Sequence, residues 1–486
     1  MTEKVNLKKE NVFKFITLTF CIGWFIVIHS LNFGPSDTGD GVMHFYISQA
    51  SWTNPLLFLD HWGKPVFVLL SSSFAQFGLT GMIVFNIIVF SITVLFGWKI
   101  LRHFRIHIGI QCLFPLLLIS LYDYSVTVLA GLTEPLFSML FMIATWFLIS
   151  KNWKWYALSI SILPFLRSEG QLAIVLSIFI FIYLKHYKYI PLLFTAFVLY
   201  GIIGFFALDD FWWYFTKSPY SMDNDIYGKG PWNDYLLKYE YYLGKIGLYI
   251  FYLSCLRIIY LLKNKQWGEL EIPWLVLTYG LYLGIIFLHS YFWAFGLNGS
   301  CGLTRLATQA MPSFILINLY YIGKINYLPS AKNLVNISVG ILITLKVYNC
   351  LNPVLFPIKI WRLDVTILKA ADYLISEKDK GKNFFFYHPL FVLQMKENPL
   401  KENQNCVFNY KIDLEKDLGT KIKKGDYLIR DSHFGPQEMG LPLSLMNKFP
   451  ELVKIKEFKS SFQEDDKYNE VEGVIIYQYL PKKITK

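Results

Sequence analysis

The sequence predicts a mostly helical fold: a polytopic transmembrane bundle of about eleven spans, followed by a small extracytoplasmic α/β domain. Three observations predict it. The 486 residues are 54% hydrophobic and only 17% charged, where a soluble globular protein averages about 25% charged. The apolar residues gather in runs, and a helix needs about 20 of them to cross a bilayer. The charges gather at the other end: of 46 Lys+Arg and 35 Asp+Glu, 21 and 19 lie from Trp361 onward. Such a composition excludes a disordered chain, a collagen-like repeat and a small disulfide scaffold.

The first run is 12–33, preceded by Lys4, Lys8, Lys9 and Lys14. No small-residue cleavage site follows it, so it reads as an uncleaved anchor. Further runs lie at 80–98, 108–122, 131–149, 155–166, 171–184, 189–208, 241–262, 272–292, 306–323 and 333–350. With the N-terminus cytoplasmic, the inner loops carry Lys99, Arg102 and Arg105; Lys151 and Lys154; Lys185 and Lys188; Lys263 and Lys265; Lys324 and Lys332. That is the distribution the positive-inside tendency favours. Of the acidic residues in the first 360, only Glu3, Glu10, Glu269 and Glu271 fall on that side. The net charge of +11 is accounted for by these loop lysines, and no nucleic-acid partner is expected.

The domain division follows. Residues 1–350 form the transmembrane part, with a long first outer loop at 34–79 and another outer loop at 209–240. Residues 361–486 form the soluble α/β domain. There, 364–376 and 443–449 read as helices, and 384–387, 427–430, 452–458 and 474–479 as strands. Asp431 and His433 alternate along a strand end and read as a solvated polar pair. The six cysteines form no CxxC and no metal-type spacing, and Cys21, Cys112 and Cys255 read as small apolar residues in or near the membrane. The inner loops are short and the outer ones long, which puts the work at the outer surface.

That surface carries the residues able to do chemistry. The run Gly34-Pro-Ser-Asp37-Thr-Gly-Asp40-Gly-Val-Met-His44 directly follows the first span. Two carboxylates three residues apart, with glycines between and after, can meet in a tight turn. One can take a proton from a hydroxyl nucleophile while the other orients it or holds a cation. An Asx-turn or helix cap is the structural alternative. These residues identify no certain cofactor; a divalent metal is compatible with them, with Asp40 and His44 its candidate ligands.

Further along, Leu59-Asp60-His61-Trp62-Gly63-Lys64-Pro65 contains Lys64, the one lysine or arginine of the first outer loop. A lone cation beside aromatics can bind a lipid phosphate or simply snorkel at a helix start. Arg305 closes the run Asn298-Gly-Ser-Cys-Gly-Leu-Thr-Arg305, and arginine can grip phosphate bidentately. A charge at membrane depth costs about 2.5–3.5 kcal/mol, so an arginine such as Arg305 usually serves a purpose; Arg167 and Glu169 lie at an outer turn and Glu134 one turn into the fourth span. With His44 and His61 they are candidate site-lining residues, and Arg167 and Glu169 can pair with each other.

An acidic pair after the first span, a Lys-Pro before the second, a polar turn between two short spans and a late outer arginine together resemble the GT-C glycosyltransferases. The nearest group is that of the dolichyl-phosphate-mannose protein mannosyltransferases and the aminoarabinose transferases. The resemblance covers about 10–350. It implies a sugar donor carried on a polyprenyl phosphate, a catalytic aspartate at Asp37 or Asp40, and donor-phosphate contacts from Lys64 and Arg305. Many members have adjacent acids where this chain has Asp37-x-x-Asp40, and Lys-Pro-Pro where it has Lys64-Pro65-Val66.

The expected activity is transfer of a hexose or pentose from that donor to a protein, lipid or glycan on the outer face of a bacterial cytoplasmic (inner) membrane, among membrane lipids. The competing expectation is a lipid-linked glycan flippase or another transporter, which uses the same charges as a translocation path.

Overall fold

The computed structural model describes the chain apart from residues 1, 221–226, 325–331, 353–354, 378–379, 402–404, 409–410, 466–469 and 482–486. Side chains are described outside these segments and outside 2–9, 332–339, 461–465 and 470–472. The expected outer loop at 209–240 and the expected inner loop at 324–332 therefore lie partly outside the described residues.

Each of the eleven apolar runs is helical. Five helices are long and apolar enough to cross a membrane: Glu10–Leu31, Gly78–His103, Tyr187–Leu208, Gly244–Lys263 and Glu271–Phe295. Ile108–Ile119 and Tyr122–Leu129 make a sixth crossing if taken together, bent by 71° at the break between them. Glu134–Ile149 and Gly170–Tyr183 are apolar but short for a bilayer crossed at right angles. Thus the expected count of eleven is matched by helices, while length and hydropathy mark five or six as full spans among the described residues.

The basic loops have a local structural reason. Arg105, Lys151, Lys185 and Lys265 all adopt the left-handed conformation, with φ of 55°, 57°, 58° and 54°. After each, the next amide bonds back to a carbonyl five residues earlier: Ile106 to Leu101, Asn152 to Phe147, His186 to Phe181 and Gln266 to Leu261. This is the Schellman closure, and a cation placed there meets the negative end of the helix dipole. The basic residues of these loops thus also stop the helices that precede them.

Two compact units divide the chain: Met1–Asn32 with Leu56–Ile358, and Phe33–Pro55 with Lys359–Lys486. The first is the helical bundle. The second is built on a five-stranded sheet of β1 (Phe384–Phe386), β2 (Cys406–Phe408), β3 (Tyr427–Asp431), β4 (Leu452–Asp465) and β5 (Glu470–Tyr479), in the order β2-β1-β3-β5-β4. β1 pairs in parallel with β2 and β3, while β5 pairs antiparallel with β3 and β4. Phe385, Leu428, Met439, Leu441 and Tyr477 form its core. The Arg362–Ile375 helix matches the expected one closely. β2 and the Pro389–Gln394 helix were not anticipated, being too short for a periodic signal.

The segment 33–55 belongs to this second unit, although in sequence it sits between helices of the first. It holds the Asp40–Ala50 helix, whose Val42, His44, Phe45, Tyr46 and Ile47 are buried.

Candidate functional site

In the helical unit, the turn before the Pro65–Ala75 helix is drawn tight. Asp60 Oδ1 accepts from the Gly63 amide. Lys64 sits at φ 67°, a strained conformation for a residue with a Cβ, and one that the following proline keeps away from the right-handed helical region. The result is a lysine turned inward, 7% exposed. Its Nζ donates to the His61 carbonyl at 3.1 Å and to the Tyr220 hydroxyl at 2.7 Å, and lies 4.6 Å from the centre of the Tyr220 ring. Burial first, and the Lys64 charge second, push the His61 imidazole down to about 4, so it is neutral at neutral pH. The His61 ring packs on Tyr214 at 4.8 Å.

Tyr214 also lines an apolar groove of about 450 Å³, together with Phe165, Ile174, Phe197, Gly201 and Trp212. A Cβ on Gly201 would stand 2.8 Å from the Phe211 ring, so the small residue lets the aromatic wall close in. Tyr214 thus links the groove to His61, whose carbonyl accepts from Lys64.

A second cluster in the same unit is buried and ionic. Arg167 Nη1 lies 3.0 Å from Glu134 Oε1 and 3.0 Å from Thr133 Oγ1, and Nη2 lies 3.2 Å from Glu169 Oε1. Glu169 Oε1 also meets His289 Nε2 at 3.0 Å and Gln309 Nε2 at 2.8 Å. Among the described residues, Glu134 Oε2 and Gln309 Oε1 are buried acceptors without a protein donor. Gln309 stands on the Thr304–Ala310 turn that carries Arg305. On that turn the Thr304 hydroxyl bonds to the buried Asp123 carboxylate, with Arg305 close enough to favour its charge, and Thr308 Oγ1 donates to the Arg305 carbonyl at 2.6 Å.

The second unit holds the acids of the first loop. Asp37 Oδ1 accepts from the Gly41 amide at 2.8 Å, capping the first turn of the Asp40–Ala50 helix. Asp40 opens that helix, and His44 follows one turn later on the same face. Among the described residues, no group of three or more His, Cys, Asp or Glu is placed to hold a metal ion.

Asp431 is 2% exposed, which corrects the expectation of a solvated pair with His433. Its Oδ1 accepts from the His433 and Phe434 amides at 2.9 and 2.6 Å, which compensates its burial. His433 is exposed.

The helical unit thus brings Lys64 beside His61, and joins Glu134, Arg167 and Glu169, with Arg305 on the turn that supplies Gln309. Sequence reading missed Tyr220, His289, Gln309 and Asp123. A lone acid or histidine inside an apolar run was the available signal for the last and the second of these.

A helical membrane bundle continued by a small α/β domain is an architecture with a precedent among solved structures. The chain resembles the solved structure of ArnT from Cupriavidus metallidurans bound to undecaprenyl phosphate. The likeness spans 97% of this chain and 99% of that one, with a TM-score of 0.58 and 7% sequence identity. No family model matches the sequence. No curated protein matches it either.

Proposed function

We propose that the chain is a membrane glycosyltransferase that moves a sugar from a polyprenyl-phosphate donor to an acceptor hydroxyl or amine. The observation that carries this reading is the buried Lys64 ammonium, joined through His61 and Tyr214 to an aromatic-walled apolar groove. An anion on a long hydrocarbon chain has the chemistry to suit both parts. The fold likeness to a protein bound to undecaprenyl phosphate supports the same donor class.

Lys64 and Arg305 hold the donor phosphate and stabilise the charge left on it as the sugar departs. Asp40 or Asp37 takes the proton from the acceptor; the base is assigned to Asp40, which opens the Asp40–Ala50 helix, while Asp37 caps its first turn. Glu134 Oε2 and Gln309 Oε1, acceptors without a protein donor, suit hydroxyl groups of a sugar. The basic loops support a cytoplasmic N-terminus and an extracytoplasmic C-terminal domain, in a bacterial inner membrane.

The test has two arms. Undecaprenyl phosphate binding to the purified protein should weaken in Lys64→Ala by about tenfold or more, the scale of one charge-assisted hydrogen bond. Transfer from undecaprenyl-phosphate-linked mannose, glucose or arabinose to a membrane extract should fall by about 10²-fold in Asp40→Asn, with binding retained. No binding of undecaprenyl phosphate by the native protein would overturn the reading.

A further inference from the structure

The segment carrying Asp37 and Asp40 is gripped at three places by the C-terminal α/β domain. At its start, Gly34 adopts φ +96°, and a Cβ there would stand 3.3 Å from Ile360 Cδ1, so the chain passes close at a conformation glycine favours. At its middle, the Thr38 hydroxyl bonds to the Asp364 carboxylate. At its end, Asn398 Nδ2 donates to the Tyr46 carbonyl at 3.2 Å and to Gln49 Oε1 at 2.9 Å. Asn398 Oδ1 meanwhile accepts from the Leu400 amide at 2.9 Å, which locks the orientation of the amide. Asn398 and Asp364 are 4% and 3% exposed, so neither contact is shared with bulk solvent.

The domain side is itself braced. Asp364 lies in the first turn of the Arg362–Ile375 helix, where a carboxylate is favoured by the helix dipole. His388 Nδ1 accepts from the Leu390 amide at 3.3 Å, capping the Pro389–Gln394 helix. That bond puts the proton of the neutral ring on Nε2, which lies 3.5 Å from Asp364 Oδ1. Within the acid segment, Asp37 caps the helix that Asp40 opens. Thr38 and Asn398 therefore hold the two ends of a short element whose internal geometry Asp37 sets.

We infer that the C-terminal domain is a positioning platform for the first-loop acids, with Thr38, Asp364 and Asn398 as positioning residues that fix the Asp40–Ala50 helix. The inference rests on the proposed transfer reaction, in which Asp40 is the base. A general base must be held close to its proton to be useful, and a displacement of about 1 Å can cost about 10²-fold in rate. Two side-chain contacts from a separate element remove that freedom without touching substrate.

Thr38→Val and Asn398→Leu remove the hydrogen bonds at near-constant volume, and Thr38→Ser restores the hydroxyl. Transfer from undecaprenyl-phosphate-linked mannose, glucose or arabinose, melting temperature, and undecaprenyl phosphate affinity are measured on the same preparations, with Asp40→Asn alongside. The expected result is a kcat lowered about tenfold or more in Thr38→Val and Asn398→Leu, a donor KM within about twofold of native, and recovery in Thr38→Ser. Amide exchange at 41–50 should rise in both variants.

A merely structural role would lower the melting temperature and yield while the folded fraction kept its native kcat, and that result overturns the inference. Native kcat in both variants with Asp40→Asn inactive overturns the platform alone. Full turnover in Asp40→Asn overturns the base assignment, and the platform with it. Should Asn398→Leu fail to fold, Thr38→Val and its serine rescue decide by the same criteria.

Discussion

Glu169 Oε1 lies 3.2 Å from Arg167 Nη2, two residues away in the same turn, and the pair is almost wholly buried. Arg167 also reaches Glu134, and Glu169 also receives His289 and Gln309. One guanidinium thus joins two carboxylates from different helical segments. The pair tethers the 163–170 turn to the Glu134–Ile149 helix.

Removing the centre of this network should be costly. Arg167→Ala leaves Glu134 and Glu169 buried with unbalanced charge, and breaking one side of a buried pair costs about 3–5 kcal/mol. A fall in melting temperature and in membrane yield is expected, with partial recovery in Arg167→Lys. A melting temperature equal to native would show that the network contributes nothing to folding.

Lys64 and Arg305 should act on one anion. Arg305→Ala and Lys64→Ala should each weaken undecaprenyl phosphate binding, and the double variant should lose less than the sum of the two. Arg305→Lys keeps the charge without the planar fork and should fall between native and alanine. Strict additivity in isothermal titration would mean that the two cations serve different groups.

Acid should act on the second unit through His388 and Asp364. Burial first lowers His388 to about 4, with Asp431 and Asp37 opposing and His433 assisting. The unfolded chain then binds a proton between about pH 6.5 and 4 that the folded chain refuses, so this contribution is complete above about 6.5 and lost toward 4. Burial first raises Asp364 to about 6, with Thr38 and the Trp361 amide opposing and Asp37 and Asp431 assisting. Here the folded chain holds the extra proton, and stability rises as pH falls from about 6 to 4. The two slopes oppose each other. In His388→Gln only the second remains, so the melting temperature of the variant relative to native should climb as pH falls from about 7 to 5. A difference independent of pH would show that His388 titrates normally.

Orientation can be read by labelling. In a background without native cysteines, Arg102→Cys should react with impermeant maleimide only from the cytoplasmic side, and Lys424→Cys only from the other. Both side chains are exposed. Reaction of the two from one side would overturn the topology.

The sequence by itself determined where the helices of the bundle lie, which loops are basic and where the charged domain begins. Those are sums over neighbouring residues, and burial in lipid rewards them segment by segment. It also singled out Lys64 as a candidate, because a single cation in a long loop stands out without any partner being known. What only the tertiary structure decided were the pairings. Nothing near Glu169 in sequence names His289 or Gln309 as its donors, and nothing near Lys64 names Tyr220, 156 residues away. The burial of Asp431 was likewise hidden, since its compensating amides belong to a turn that forms only when β3 is packed. So was the capture of 33–55 by the C-terminal domain. The reason is that a buried polar group is stable only beside a complementary one, and the chain meets that requirement at long range, where local pattern carries no signal.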